Sequence, residues 1–361
     1  MLRSQGNFLL LAKVVTAYVG SVIGAGFASG QEIMQFFILH GCKGLLGVVL
    51  STVLFAYLGG LVMFLSIKMR STNYKDLLIF LLGAKAGKIV DVLNLLMLMG
   101  GLCVMMAGSA AVFGEHFGLP ARAGVWVVVV VTSLVIMGGL DGVLTANVVL
   151  VPLKLLAVVL ITLTAIFKAK EAIFLIPHAA SVGGVAGSWV GAGLLYVSYN
   201  MVVPVAVLSS LGGSIPLKIG VAGGMAGGFL LGLAVSLVTV AGLLYFPEAA
   251  AYEIPLLFLA SQLGLVFYWL LGFLIWLAII TTAIADAHGI ASRLAPRGGL
   301  NYRIFGICAC LLALPVAGRG FSDLVRLLYP IFGYVSLLLL ICLLIVPPVK
   351  VIINYKNSFI S

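Results

Sequence analysis

The chain has 361 residues, 63% of them hydrophobic and only 8% charged, with a mean hydropathy of +1.29. Soluble domains carry about 25% charged residues, so the sequence reads as an all-α polytopic membrane protein with no room for a soluble domain. Its net charge of +10 is then a topology signal, and no nucleic-acid partner is expected.

A membrane crossing needs roughly 20 apolar residues. In chain order, the candidate spans are approximately Phe8–Ile38, Gly44–Ile67, Ile89–Phe113, Gly124–Gly139, Ala146–Phe167, Gly187–Leu211, Ile219–Tyr245, Gly264–Ile284, Ile304–Val316 and Leu324–Val346. That makes about ten, of which the fourth and ninth are short. No cleavable leader is expected, because the first apolar run is too long.

The first span contains AYVGSVIGAGFASGQEI (Ala17–Ile33), with Gly20, Gly24, Gly26 and Gly30 inside it. Glycine leaves the helical basin without steric penalty, so the helix is expected to unwind at GAGFASG and restart near Ala28. Backbone opened at bilayer depth survives only where it lines a cavity or holds a polar ligand. The restarting end favours an anion such as a carboxylate. The preceding end leaves carbonyls near Gly20 and Ile23, which suit a cation. A glycine-rich packing face is the competing reading. A dinucleotide loop is not, since the spacing is wrong and no strand precedes it. Glu32, toward the outer side of this span, is a functional carboxylate by default, or else a structural or gating one near the interface.

The fifth span carries Lys154 roughly 12 Å in from its start. That is too deep for snorkelling, so the ammonium should find carbonyls or hydroxyls in the protein. LIPHAASVGGVAGS then links two halves, approximately 8–167 and 187–347, of one domain spanning 1–361. Five spans per half is odd, so the second half enters from the opposite face and a structural repeat would be inverted.

The sixth span, GAGLLYVSYNMVVPVAVL (Gly191–Leu208), has Tyr196, Ser198, Tyr199, Asn200 and Pro204 at its middle. A second break there would put these donors and acceptors where the backbone opens, although the tyrosines also suit plain packing. Paired breaks in two half-chains point to the binding site of a secondary transporter. In the seventh span Gly220, Gly224, Gly228 and Gly232 repeat at G-x-x-x-G spacing, which lets helix backbones approach closely. Phe246–Gln262 follows as an amphipathic outer lid.

The eighth span places Ala278, Thr281 and Thr282 on one face at i, i+3 and i+4. One carbonyl and two hydroxyls form an oxygen set for a monovalent cation, unless the hydroxyls only bond back to the helix. Asp286 and His288 are expected to end this span near the cytoplasm, as a gate or cap. The five cysteines, Cys42, Cys103, Cys308, Cys310 and Cys342, form no C-x-x-C and join no histidine at ligand spacing. They read as small buried apolar residues.

The basic residues support cytoplasmic termini. In that orientation the inside segments hold Arg3, Lys13, Lys68, Arg70, Lys75, Lys85, Lys88, Lys218, Arg293, Arg297, Arg303, Lys350 and Lys356. The outside holds Lys43, Arg122, Lys168, Lys170, Arg319 and Arg326.

GSVIGAGFASGQEI followed by ten spans resembles the YkvI-like family of bacterial membrane proteins over essentially the whole chain. More distantly, the chain resembles the amino acid–polyamine–organocation superfamily and the neurotransmitter–sodium symporters, which share the LeuT-type 5+5 inverted-repeat fold with helices 1 and 6 broken near the midplane. In those sodium symporters a cation sits between the first break and span eight, which implies Gly20, Ile23, Ala278, Thr281 and Thr282 here. Substrate lies against the first break, here Gly24, Ala25, Gly26 and Ser29, and the sixth-span break, here Tyr196, Ser198, Tyr199 and Asn200. PLKLLAVVLITL resembles instead the fifth span of sodium-independent amino acid transporters, whose lysine takes the cation position. A sodium ion and the Lys154 ammonium in one oxygen cage would repel strongly, so both readings stand.

The expectation is a secondary active transporter in the bacterial cytoplasmic membrane, moving a small amino-acid-like or organic-amine solute by alternating access. Coupling would be to Na+ or H+, Glu32 and Asp286 would gate, and no catalytic residue or bound cofactor is expected. A receptor subunit that binds an amino acid without moving it is the alternative.

Overall fold

The computed structural model describes residues 2–70, 74–138, 141–171, 182–295 and 297–358, and every regular element in them is helical. The first half contains α1 (Leu2–Val22), α2 (Ala25–Ser29), α3 (Gln31–Phe36), α4 (Cys42–Lys68), α5 (Tyr74–Ala111), α6 (Ala121–Gly138) and α7 (Asp141–Lys168). The second contains α8 (Trp189–Asn200), α9 (Val202–Ser210), α10 (Leu217–Leu244), α11 (Pro255–Leu263), α12 (Leu265–Leu294), α13 (Gly299–Ala317) and α14 (Phe321–Ser358). Residues 172–181, which include part of the expected linker, lie outside the described residues.

Among the described residues, seven helical stretches are long and apolar enough to cross a membrane, and α8 with α9 forms an eighth, bent by 41°. Gly6–Val22 and Ala121–Met137 are shorter apolar helices. This is a multi-pass membrane protein. Leu46, Val49, Val53 and Tyr57 recur along one face of α4 and stay exposed, as expected of a helix side turned toward lipid.

The glycine stripe of the seventh span is a contact surface. On α10, a Cβ at Gly224 would collide with the backbone of Gly59, one at Gly228 with that of Phe55, and one at Gly232 with Thr52, all on α4. The intervening glycines face α1: a Cβ at Gly223 would lie 2.8 Å from Val14, and one at Gly227 2.9 Å from Tyr18. Helix α10 therefore wedges between two neighbours at a separation only small residues permit.

Several expected boundaries move. Helix α12 continues ten residues past Ile284, so Asp286 and His288 sit inside it rather than at its end. Helix α7 starts at Asp141, which puts Lys154 roughly 20 Å along it. Cys103 and Cys310 are buried as expected, whereas Cys42 and Cys308 are exposed.

Candidate functional site

The first span is interrupted twice. Helix α1 stops at Val22, Gly24 is extended (φ −92°, ψ −167°), and α2 starts at Ala25 rather than near Ala28. The Gly24 carbonyl accepts from Ala28 N at 3.1 Å. Helix α2 then ends at Gly30, whose φ of +82° is a left-handed conformation that glycine adopts freely. Ser29 Oγ donates to Gly26 O at 2.7 Å and accepts from Gln31 N at 3.2 Å. That hydroxyl is spent within the turn.

The interruption in the sixth span is a kink, and the backbone does not unwind. Met201 N donates to Val197 O and Val205 N to Met201 O, so hydrogen bonding continues on both sides. Pro204 explains the 41° bend: it has no N–H for the Asn200 carbonyl, and its ring crowds that turn. Tyr196, Ser198, Tyr199 and Asn200 accordingly lie on an intact helical turn just before the bend.

Only two of those four reach the site. Tyr196 is fully buried among Phe36, Phe37 and Phe55, with ring centroids 5.5, 4.9 and 5.9 Å away. Ser198 Oγ donates to Leu195 O at 2.8 Å and Gly333 O at 2.7 Å, tying α8 to α14. Tyr199 and Asn200 point inward. The Tyr199 hydroxyl donates to the Glu32 carboxylate. The Asn200 Nδ2 donates to Tyr196 O at 3.0 Å.

Glu32 thereby points into the protein. It is 5% exposed, and its Oε2 would lie 3.0 Å from a Cβ at Gly26. It borders a cavity of about 360 Å³ that Gly24, Ala25, Gly26, Tyr199, Asn200, Thr282 and Asp286 also line. Asn94, Met97 and Gly101 of α5, Arg293 of α12, and Tyr329 and Phe332 of α14 complete much of the wall. Sequence reasoning passed over Asn94 and Tyr329. Both carry a polar group at membrane depth, the signal that singled out Glu32.

The two threonines of the expected cation set bond back to their own helix. Thr281 Oγ1 and Thr282 Oγ1 both donate to Ala278 O, at 3.1 and 2.8 Å, so three oxygens converge on one turn of α12. Their protons are used by the helix, which leaves lone pairs as the available chemistry. Gly20 stands against Val151 of α7, 3.1 Å from its would-be Cβ. Lys154, one turn farther along α7, is buried.

One end of the site is closed. Val182 N donates to Leu39 O at 3.0 Å and Val185 N to Gln35 O at 3.3 Å, which lays the inter-half segment over the end of α3. His40 Nε2 lies 3.1 Å from Val185 O. Leu256 of α11, within the segment expected as a lid, packs on Gly30, its Cγ 2.9 Å from a would-be Cβ. The cavity extends the other way, along α12 toward Arg293 in its last turn.

Comparisons with known proteins agree with this architecture. No family model matches the chain. It is 32% identical over 335 residues to the protein YyaD of Bacillus subtilis (strain 168), covering 91% of this chain and 94% of that one. It is 28% identical over 341 residues to the membrane protein YkvI of the same organism, covering 93% and 95%. Among solved structures, the Eremococcus coleocola manganese transporter matches with a TM-score of 0.55 at 15% identity, over 90% of this chain and 76% of that chain. A Na+-coupled sialic acid symporter in a substrate-bound outward-open state matches with 0.54 at 12%, over 86% and 79%. Mhp1 in its inward-facing conformation matches with 0.51 at 12%, over 85% and 69%. At these identities the likeness is one of fold.

Proposed function

The chain belongs to the family of YkvI and YyaD, and from that premise we propose that it is a secondary active transporter of a small amino-acid-like or organic-amine solute. The observation that carries this reading is the cavity itself. It lies where the interrupted first span meets the kinked sixth, and the Tyr199–Glu32 hydrogen bond joins the two. An interrupted helix and a kinked one meeting at a cavity lined by a few polar groups suit alternating access around a central site.

Ten crossings follow if the long apolar helices, the bent α8–α9 pair and the two shorter apolar helices all span. We read them as inverted halves, approximately 8–167 and 187–347, with both termini cytoplasmic in the bacterial cell membrane. In that orientation the cavity opens inward past Arg293, while α11 and the inter-half segment close the outside. The oxygens of Ala278, Thr281 and Thr282, with carbonyls near Gly20 and Ile23, would take a coupling Na+. The Lys154 ammonium is the rival occupant of that position, and H+ coupling is the alternative it leaves.

The test is uptake by proteoliposomes of pooled radiolabelled amino acids and amines, under an inward Na+ gradient and then a proton gradient. Accumulation driven by either gradient supports symport. Solute binding with no accumulation under any gradient would identify a receptor subunit instead.

A further inference from the structure

The amino-acid-like and organic-amine alternatives differ in one respect that the cavity addresses: whether the solute brings a carboxylate. A zwitterion would have to set its anionic group beside the first interruption, near Gly26. That place is already taken. Glu32 Oε2 would lie 3.0 Å, and the Tyr329 hydroxyl 2.7 Å, from a Cβ at Gly26. The Tyr199 hydroxyl, a donor that would have greeted a substrate carboxylate, is committed to Glu32.

We propose that the cavity takes an organic ammonium or guanidinium cation rather than a zwitterion, with Glu32 as its charge partner and Asp286 as a second negative group on the facing wall. This deepens the transport reading above and rests on it. Glu32 accepts a hydrogen bond from the neutral Tyr199 hydroxyl, and no described lysine or arginine is paired with it. A buried carboxylate left without a counter-charge is costly, and an ammonium in the cavity supplies what is missing. Asp286 approaches α5, its Oδ2 2.7 Å from a would-be Cβ at Gly101. Arg293, a basic residue of the described lining, stands in the last turn of α12 and has a partner of its own.

The apolar part of the wall fits the same ligand. Tyr199, Tyr329 and Phe332 form a row, with ring centroids 5.4 and 5.8 Å apart, and Tyr329 lies within electrostatic reach of both carboxylates. Aromatic faces attract ammonium and guanidinium groups and are neutral toward an alkyl body. A zwitterion would bring a like charge up to two carboxylates, which costs affinity. A divalent metal fits less well, because the described residues hold no group of three or more His, Cys, Asp or Glu that could ligate one.

The experiment is binding to the purified full-length protein in nanodiscs, by isothermal titration and thermal shift. The probes are 2-phenylethylamine, phenylalanine and 3-phenylpropionate, which share a body and differ in charge, together with 1,4-diaminobutane and Mn2+. The amines should bind, and the zwitterion and the acid should not. Glu32→Gln should weaken amine binding roughly tenfold to a hundredfold, the loss of one charge-assisted contact. Asp286→Asn, at a less enclosed position, should weaken it by a smaller factor and serves if Glu32→Gln misfolds. Tighter binding of phenylalanine, binding of Mn2+ alone, no binding of either amine, or amine affinity unchanged in both variants would each overturn the proposal. Amine binding without uptake would sink the transport reading and leave the charge preference standing. Gradient-driven uptake of phenylalanine would do the reverse.

Discussion

The hydroxyl of Tyr199, in the last turn of α8, donates a hydrogen bond to the carboxylate of Glu32, in the first turn of α3. Two helices that end inside the protein are joined there, and the bond sits on the cavity wall. Tyr199→Phe keeps the ring packing on Phe36 and Tyr329 and removes only the donor. Losing a hydrogen bond to a charged group costs about 1.5–3 kcal/mol. The variant should reach the membrane, melt a few degrees lower, and take up solute several-fold more slowly. Wild-type melting and wild-type uptake together would show that this bond serves neither stability nor transport.

Lys154 and Thr281 make opposite predictions about coupling. If the oxygens around Ala278 hold Na+, Thr281→Ala should abolish the sodium dependence of uptake, because one of the converging oxygens is removed. If the lysine takes the cation's place, uptake should be independent of sodium and collapse in Lys154→Ala. Radiolabelled uptake under matched gradients, with both variants beside wild type, separates the two.

Backbone contact and side-chain contact should respond differently to an added methyl group. At Gly228 the new Cβ would strike the backbone of Phe55, which cannot give way, whereas at Gly60 it would meet the flexible Met225 Cγ at 2.8 Å. Gly228→Ala should therefore lose about 1–3 kcal/mol of stability, and Gly60→Ala less. Melting curves of the two detergent-solubilised variants make the comparison. Equal losses would mean that α10 and α4 are not held at the separation described.

Gly30 joins α2 to α3 with φ at +82° and lies under Leu256 of α11. Gly30→Ala is strained by the left-handed conformation, which costs a side chain about 1–2 kcal/mol, and it also crowds the lid. Labelling of a cysteine placed at Leu256 should become faster in this variant than in wild type. An unchanged rate would separate lid closure from the turn at Gly30.

The seal over α3 should depend on pH. Burial holds the His40 imidazole below its ordinary value of 6.5, with the Val185 carbonyl opposing the shift. A group whose folded value is depressed binds its proton more readily once the contact opens. The seal is thus fully formed above about 6.5 and weakens as pH falls below it. Amide exchange at residues 182–185 should accelerate in that window, and His40→Gln should flatten the profile. Acceleration on the alkaline side instead would contradict the assignment to His40.

Much of the architecture was legible because its causes are local. Apolar length marked the crossings, and the spacing of Gly220, Gly224, Gly228 and Gly232 marked a close helix contact, whereas the break expected in the sixth span is a bend at Pro204. The GAGFASG segment had to interrupt a helix, although its second interruption at Gly30 depends on where Leu256 packs. Residues 172–181 of the linker lie outside the described residues.

What a polar side chain does at membrane depth was decided by partners far along the chain. Tyr196 and Tyr199 are three residues apart, yet one is swallowed by Phe36, Phe37 and Phe55 while the other meets a carboxylate 167 positions away. Ser198 was spent on Gly333 of α14. Asp286 moved from an expected helix end to a cavity wall because α12 keeps its hydrogen bonding to Leu294. The sequence alone determined that this is a membrane bundle with an interrupted first span, since apolar length and the glycines of GAGFASG act within the segment itself. Only the tertiary structure decided that Glu32 and Asp286 share one cavity, because that depends on the faces that separately folded helices turn toward each other.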